Sequence, residues 1–337
     1  MIQKLKALRM KLFHTTKILV FRKKPVKYIL ITVLICSLIC MIAPFIGLPI
    51  FLNQHVSYRG YVTEDYPLQD IYYASDFNLI ENQISLTTED GLNLWASEIY
   101  TEKPEAVIIY LTGIVQPSIT YFYSHAKLMQ EHGYASILLE VRGHGNSDGD
   151  RICLGYEEVE DVRAAINYIK SDVRYAGIPI ILHGVSMGGA IAVNSFGQIE
   201  EIDALIAMSA YSSFEDVATD IMDVYDVPKF LQNFEKPFIR ASLKLIFSKD
   251  KVTNLTPEKQ IKNTNQRPVL LIACTGDVSV PPINSQRLHK AYPDAQLWIR
   301  DSWEHFIIEN CDFKNLEKDR EYCDKIIDFI RESITTR

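Results

Sequence analysis

Ile178-Pro179-Ile180-Ile181-Leu182-His183 runs directly into Gly184-Val185-Ser186-Met187-Gly188, and the stretch from Ala190 to Phe196 reads as a helix. An apolar strand, a G-x-S-x-G pentapeptide and a helix, in that order, are the sequence form of a nucleophile elbow. The serine of such a turn is held in a strained backbone conformation. Only small neighbours, here Gly184 and Gly188, can flank it without colliding with the strand and the helix. The pentapeptide alone can arise by chance, so its meaning comes from the strand before it and the helix after it. This context projects the Ser186 hydroxyl from the carboxyl edge of a sheet.

A serine hydroxyl is a weak nucleophile until a histidine takes its proton, and that histidine needs an acid to orient it. The chain supplies both in the order Ser, Asp, His. The apolar strand Pro268 to Ala273 leads into Cys274-Thr275-Gly276-Asp277, which places Asp277 on the turn beyond a strand end. A last strand, Ala295 to Arg300, leads into Asp301-Ser302-Trp303-Glu304-His305-Phe306. Of eight histidines, His305 alone follows that strand; His144 reads as part of a turn, His183 as a strand end and His289 as a helix residue. Glu215 and Asp216, after the sixth strand, are the alternative acids. Asp301 and Glu304 are too near His305 in sequence to orient it.

Strands and helices alternate through most of the chain, which predicts a mostly parallel sheet with helices on both faces. Gln83–Thr87 and Leu92–Tyr100, joined by Glu89-Asp90-Gly91, read as an antiparallel hairpin at its edge. Further strands are expected at Ala106–Leu111, Ala135–Glu140, Ile178–His183, Ala204–Met208, Val269–Thr275 and Ala295–Arg300, with helices at Ser118–His132, Val159–Ser171, Ser186–Phe196 and Asp319–Thr335. The interval 212–266 is too long for a plain crossover and reads as a helical cap inserted after the sixth strand. Its apolar residues, among them Phe214, Ile221 and Phe234, read either as an acyl-binding wall or as packing of the cap on the body.

These features, with Val141-Arg142-Gly143-His144-Gly145-Asn146-Ser147-Asp148-Gly149, resemble the serine hydrolases of the α/β-hydrolase superfamily. The likeness is to the branch of monoacylglycerol lipases, Bem46-like proteins and serine aminopeptidases, and it covers residues 78 to 335. The nine-residue run matches that branch's R-G-H-G-x-S-x-G loop. The resemblance implies an acyl-transfer hydrolase of α/β-hydrolase fold, with Ser186 as nucleophile, His305 as base and Asp277 as its orienter. It also implies an oxyanion hole of two backbone N–H groups, Met187 after the nucleophile and Ile114 in the loop after the third strand. Two residues depart from the pattern: Thr112 stands where a histidine is usual, and Cys274 where a glycine is common.

The first fifty residues differ sharply from the rest. Residues 1–27 hold nine Lys or Arg and no Asp or Glu, and residues 28–52 are an uncharged apolar stretch of 25. That length spans a bilayer, and the basic flank favours a cytoplasmic N-terminus with the hydrolase on the extracytoplasmic face. A cleavable signal peptide is the rival reading. Pro44 and Pro49 are expected to shorten or kink the helix at its outer end. Residues 2–24 read either as a basic amphipathic helix on the inner face or as a disordered, orienting tail. The expected organisation is thus tail 1–27, anchor 28–52, a tyrosine-rich membrane-proximal linker or strap laid on the domain at 53–77, and catalytic domain 78–337.

Subtracting the tail's +9 from the net charge of −7 leaves −16 for the remainder, which argues against nucleic-acid binding. Six scattered cysteines make no disulfide framework, although Cys311 and Cys323 could pair on an oxidising face. No Cys and His spacing suggests zinc, and the chemistry expected calls for neither metal nor cofactor. The expected partners are the membrane and a small ester, lipid-like or acylated. A peptidase on the same fold, or a binding protein that no longer uses the machinery, are the other readings.

Overall fold

The computed structural model describes residues 2–57 and 71–335, with side chains for all of these except residues 2–25 and 311. The chain divides into two compact units, Met1–Gly47 and Leu48–Arg337. Helix α1 runs Ile2–Leu52. Within it, Val26–Leu52 is long and apolar enough to cross a membrane, with a mean hydropathy of 2.8. The helix continues through Pro44 and Pro49 and ends at Leu52, so neither proline shortens it. A helix satisfies its own backbone groups, which is what hydrocarbon requires of a spanning segment.

The larger unit is built on one eight-stranded sheet. The strands are β1 (Asn82–Thr87), β2 (Asn93–Ile99), β3 (Val107–Leu111), β4 (Ala135–Leu139), β5 (Ile180–Val185), β6 (Ala204–Met208), β7 (Val269–Cys274) and β8 (Gln296–Arg300). Their spatial order is β1-β2-β4-β3-β5-β6-β7-β8. Strand β2 pairs antiparallel with β1 and β4, and every later pairing is parallel. Strands β3, β4, β5, β6 and β7 are buried along their whole length, as parallel strands covered on both faces must be.

Alternation along each strand divides the core in two. Val107, Ile109 and Leu111 of β3 join a cluster with helices α3 (Val159–Ser171) and α4 (Met187–Gln198). Ile108 and Tyr110 face the other way, toward α2 (Tyr123–Glu131) and α10 (Arg320–Thr335). Helix α2 starts later than the sequence suggests, because Thr120–Phe122 forms a 3-10 turn. That turn buries Tyr121 and Phe122 among the aromatic side chains of the second face.

Between β6 and β7 the chain forms α5 (Phe214–Val224), α6 (Lys229–Phe247), α7 (Lys249–Asn254) and α8 (Pro257–Gln260), the helical insertion expected there. Helix α9 (Ile283–Ala291) separates β7 from β8. The larger unit also extends N-terminally of residue 78. Leu52 and Val56 are buried, as are Tyr72, Ala74 and Phe77, so the described parts of the segment 53–77 pack into the unit.

The second core face contains a polar node. The Tyr322 hydroxyl meets His125 Nε2 at 3.0 Å and His183 Nε2 at 3.3 Å. Burial lowers the pKa of both histidines, to about 3 for His183 and well below the ordinary range for His125, where the neighbouring His183 adds to the effect. An unfolded histidine titrates near 6.5, so below that pH the unfolded chain binds protons the native fold refuses. Stability is therefore full above pH 6.5 and falls as the pH drops towards 3. Between pH 6.5 and 5 His183 taken by itself should cost about 2 kcal/mol; His144, also lowered by burial, adds to this, and Asp161, whose carboxyl pKa is raised by burial to about 7, offsets part of it. Thermal unfolding of the full chain in detergent should show a falling Tm and proton uptake on unfolding across that window.

Candidate active site

Ser186 sits between β5 and α4 at φ 57°, ψ −121°. This is a backbone conformation that side chains other than glycine avoid, and it persists only where the surroundings over-determine it. The surroundings here are backbone. A Cβ on Gly184 would lie 2.1 Å from the Gly188 carbonyl oxygen, and one on Gly188 would lie 2.2 Å from that of Leu111. Strand β5, helix α4 and the end of β3 therefore approach at backbone distance, and Ser186 is held at the point where they meet.

Asp277 follows β7 and His305 lies in the loop after β8. The structure brings them together: His305 Nδ1 and Asp277 Oδ2 are 2.8 Å apart. The other carboxylate oxygen accepts the N–H groups of Ser279 and Val280, each at 2.9 Å, so Asp277 is fixed on both sides. With Nδ1–H donating to the ionised carboxylate, Nε2 is left as an acceptor. The His305 loop is stitched to its neighbours. The Gly276 N–H donates to the Ser302 carbonyl at 2.9 Å, and Ser209 Oγ, at the end of β6, donates to that of His305 at 2.7 Å. Ile307, at φ 72°, is a β-branched residue in the left-handed region, held there in the core.

The alternative acids lie elsewhere. Ser213 caps α5 by accepting the Asp216 N–H, and Glu215 and Asp216 occupy the first turn, where negative charge complements the helix dipole. Asp216 pairs with Lys236, and Glu215 faces Arg240 at 3.5 Å. Both line a polar cleft of about 560 Å³ that includes neither Ser186 nor His305. Asp301 accepts from Thr275 Oγ1 at 2.9 Å.

The loop after β3 lies beside Ser186, since a Cβ on Gly113 would fall 3.5 Å from Ser186 Cβ. Thr112, in the position where the resemblance leads one to expect histidine, is held by Tyr121, hydroxyl to hydroxyl at 2.8 Å. Met187 N–H belongs to the first turn of α4, where backbone donors have no intrahelical acceptor. The R-G-H-G loop holds the neighbouring Ile114–Val115 peptide: His144 Nε2 meets the Ile114 carbonyl at 3.1 Å. The same loop is anchored by Arg142, which binds Asp161 at 2.8 Å and Asp90 at 2.7 Å, and by Glu140, which accepts from Ser118 at 2.7 Å. The Arg142 guanidinium lowers the pKa of the Asp90 carboxyl to about 2.

Ser186, Met187, Ile114 and His305 line one cavity of about 580 Å³, a volume typical of small-molecule sites. Its walls are apolar: Phe214, Val217 and Ile221 of α5, Val278 and Val280 beyond β7, and Phe306. Among the described residues lining it there is no Asp, Glu, Lys or Arg. Two lining residues are not marked by any sequence pattern. Gln116 is buried, with Oε1 lacking a hydrogen-bond partner; a polar residue in the loop Thr112-Gly113-Ile114-Val115-Gln116-Pro117 is the one sign of it. The other is Phe51, in the last turn of α1. Cys274 is a buried thiol whose pKa burial raises to about 11, and the buried Cys323 thiol donates to the Leu316 carbonyl at 3.2 Å; the Cys311 side chain lies outside the described residues.

Residues 102–241 match the family model described as serine aminopeptidase, S33. An uncharacterized 31.7 kDa protein in the traX-finO intergenic region of Escherichia coli is 27% identical over 112 residues, covering 33% of this chain and 39% of that protein. The uncharacterized protein YqkD of Bacillus subtilis (strain 168) is 27% identical over 213 residues, covering 60% of this chain and 66% of that protein. The chain thus spans less than two thirds of the length of these curated relatives. The structure of the Pyrococcus furiosus esterase Pf2001 matches with a TM-score of 0.59 at 21% identity, over 77% of this chain and 94% of that one, which speaks to the fold. The chain has the α/β-hydrolase fold, and over residues 102–241 its sequence is similar to proteins of that superfamily. Within it, the family model that matches is that of the S33 serine aminopeptidases.

The backbone contact at the elbow makes a prediction independent of chemistry. Gly188→Ala should destabilise the larger unit by on the order of 3 kcal/mol, because neither partner of the clash is a movable side chain. Gly47→Ala, whose Cβ meets nothing within 4 Å, should be neutral in the same thermal-unfolding measurement.

Proposed function

We propose that this hydrolase is a membrane-anchored serine esterase, acting on lipid-like or acylated carboxylic esters through Ser186, His305 and Asp277. The observation that carries the reading is the His305 to Asp277 bond of 2.8 Å beside a serine on a strained elbow, with Ser186 and His305 opening into one apolar cavity. In the first half-reaction Ser186 Oγ attacks the ester carbonyl while its proton passes to His305 Nε2. The Met187 and Ile114 N–H groups receive the developing oxyanion. The tetrahedral intermediate collapses, the carbon–alkoxy bond breaks, and the alcohol leaves with the proton from His305. Water then gives a proton to His305 and its oxygen to the acyl carbon, and collapse returns the proton to Ser186 with release of the acid. Asp277 stabilises the imidazolium in both halves.

The S33 match makes an aminopeptidase the second reading. Such an enzyme needs an acidic anchor for the substrate's amino terminus, and no acidic side chain lines the cavity among the described residues, which favours the ester. The basic tail of residues 1–27 supports a cytoplasmic N-terminus and an extracytoplasmic hydrolase, with residues 28–52 as the anchor.

The full chain in detergent should be labelled by a fluorophosphonate, and Ser186→Ala should lose the label without losing the fold. Persistent labelling of that variant would refute the nucleophile, and an unlabelled, folded wild type would refute the hydrolase mechanism. Asp277→Asn should keep the cavity but lower kcat on p-nitrophenyl esters by roughly 10²–10⁴-fold, because the ring loses its orienting charge. A preference for aminoacyl amides over acyl esters would turn the assignment to the peptidase.

A further inference from the structure

The segment that ends the apolar helix is stitched into the larger unit next to the candidate site. The Ile152 N–H donates to the Leu52 carbonyl at 2.9 Å. Val56 pairs with His144 in an isolated parallel bridge, donating to Gly143 at 2.7 Å and accepting from Gly145 at 2.9 Å. The His55 ring meets two carbonyls of the same loop, Gly149 from Nδ1 at 2.6 Å and Gly145 from Nε2 at 3.0 Å. This is the loop from which His144 reaches Ile114. One residue before the buried Leu52, Phe51 lines the cavity that holds Ser186 and His305.

Phe51 also belongs to the apolar stretch Val26–Leu52. One side chain is therefore both in the last turn of the candidate membrane span and in the wall of the substrate cavity. It is 39% exposed, and Tyr225, another cavity residue, is 72% exposed. Such an apolar rim is unfavourable in water and at ease against hydrocarbon. Covalent continuity with the span names the occupant as lipid, because a helix that ends at Leu52 brings residues 50 and 51 to the bilayer's edge.

We propose that Phe51 is a specificity-determining residue: the end of the anchor forms one wall of the acyl site, and the substrate is a long-chain ester resident in the bilayer that carries the anchor. This rests on the esterase reading above. Shortening the side chain removes apolar contact along a long acyl chain, which an acetyl group never reaches. Enlarging it obstructs the same path.

The test uses the full chain in phosphatidylcholine nanodiscs. Phe51→Ala and Phe51→Trp are compared with wild type and with Ile50→Ala, whose side chain is exposed outside the cavity. In both Phe51 variants the ratio of kcat/KM for lauroyl over acetyl p-nitrophenyl esters should fall about tenfold, carried by KM, while Ile50→Ala keeps the wild-type ratio. Phe51→Leu should restore most of it. A ratio within about twofold of wild type in both Phe51 variants, or an equal loss on both esters, overturns the proposal. A slowly exchanging diacyl ester should be hydrolysed when embedded in the enzyme's own disc and spared in separate discs; equal rates would overturn the bilayer route. Fluorophosphonate labelling of every variant separates the two ideas. Labelled variants with unchanged selectivity defeat this inference alone, whereas an unlabelled wild type defeats the esterase reading.

Discussion

The backbone approach of Gly184, Gly188 and Leu111 is the constraint on which the rest of the site depends. Three elements meet there with no side chain between them, and Ser186 is left in a conformation that costs energy at any isolated position. The sheet bears that cost, because β3, β5 and β6 are buried on both faces and cannot shift to relieve it. Hydrophobic burial, which is non-directional, is thereby converted into a direction for one hydroxyl group.

A second layer of support lies in the loop from Arg142 to Gly149. Its residues reach outward in several directions: Arg142 to Asp161 on α3, His144 to the Ile114 carbonyl, and Ser147 Oγ to the Glu140 carbonyl at 2.5 Å. The loop fixes the edge beside Ser186 without lining the cavity itself. Arg142, His144 and Ser147 are buried, and their hydrogen bonds recover the desolvation that burial costs.

The fold was legible in the sequence because doubly buried strands read as continuous apolar runs and their helices as amphipathic ones. Seven of the strands begin and end within one residue of where the sequence places them, and the fifth is displaced by two, to Ile180–Val185, because it runs on into the elbow. The meeting of Asp277 and His305 was also legible, since each follows a strand end and β7 and β8 are neighbours. What escaped was non-local. Nothing near Val56 announces a bridge to a residue 88 positions later, so the polar, tyrosine-rich segment reads equally as a linker or as a strap on the domain. Phe51 reads as one more apolar residue of a membrane helix. Gln116 carries no pattern at all, and His144 looks like a turn residue until its ring is seen to reach Ile114.

The nucleophile candidate leaves the end of β5, the acid that of β7 and the histidine that of β8, with Ser209 at the end of β6 tying the histidine loop down. Lateral distances among these groups are thus set by how many strands lie between them, each step being close to 4.8 Å. Loop length does not enter that spacing. The excursion between β6 and β7, with its four helices, leaves and returns to adjacent strands without altering it. Strand order acts as a ruler, so the covering above the cavity is free to diverge in length and sequence while Ser186, Asp277 and His305 keep their separation.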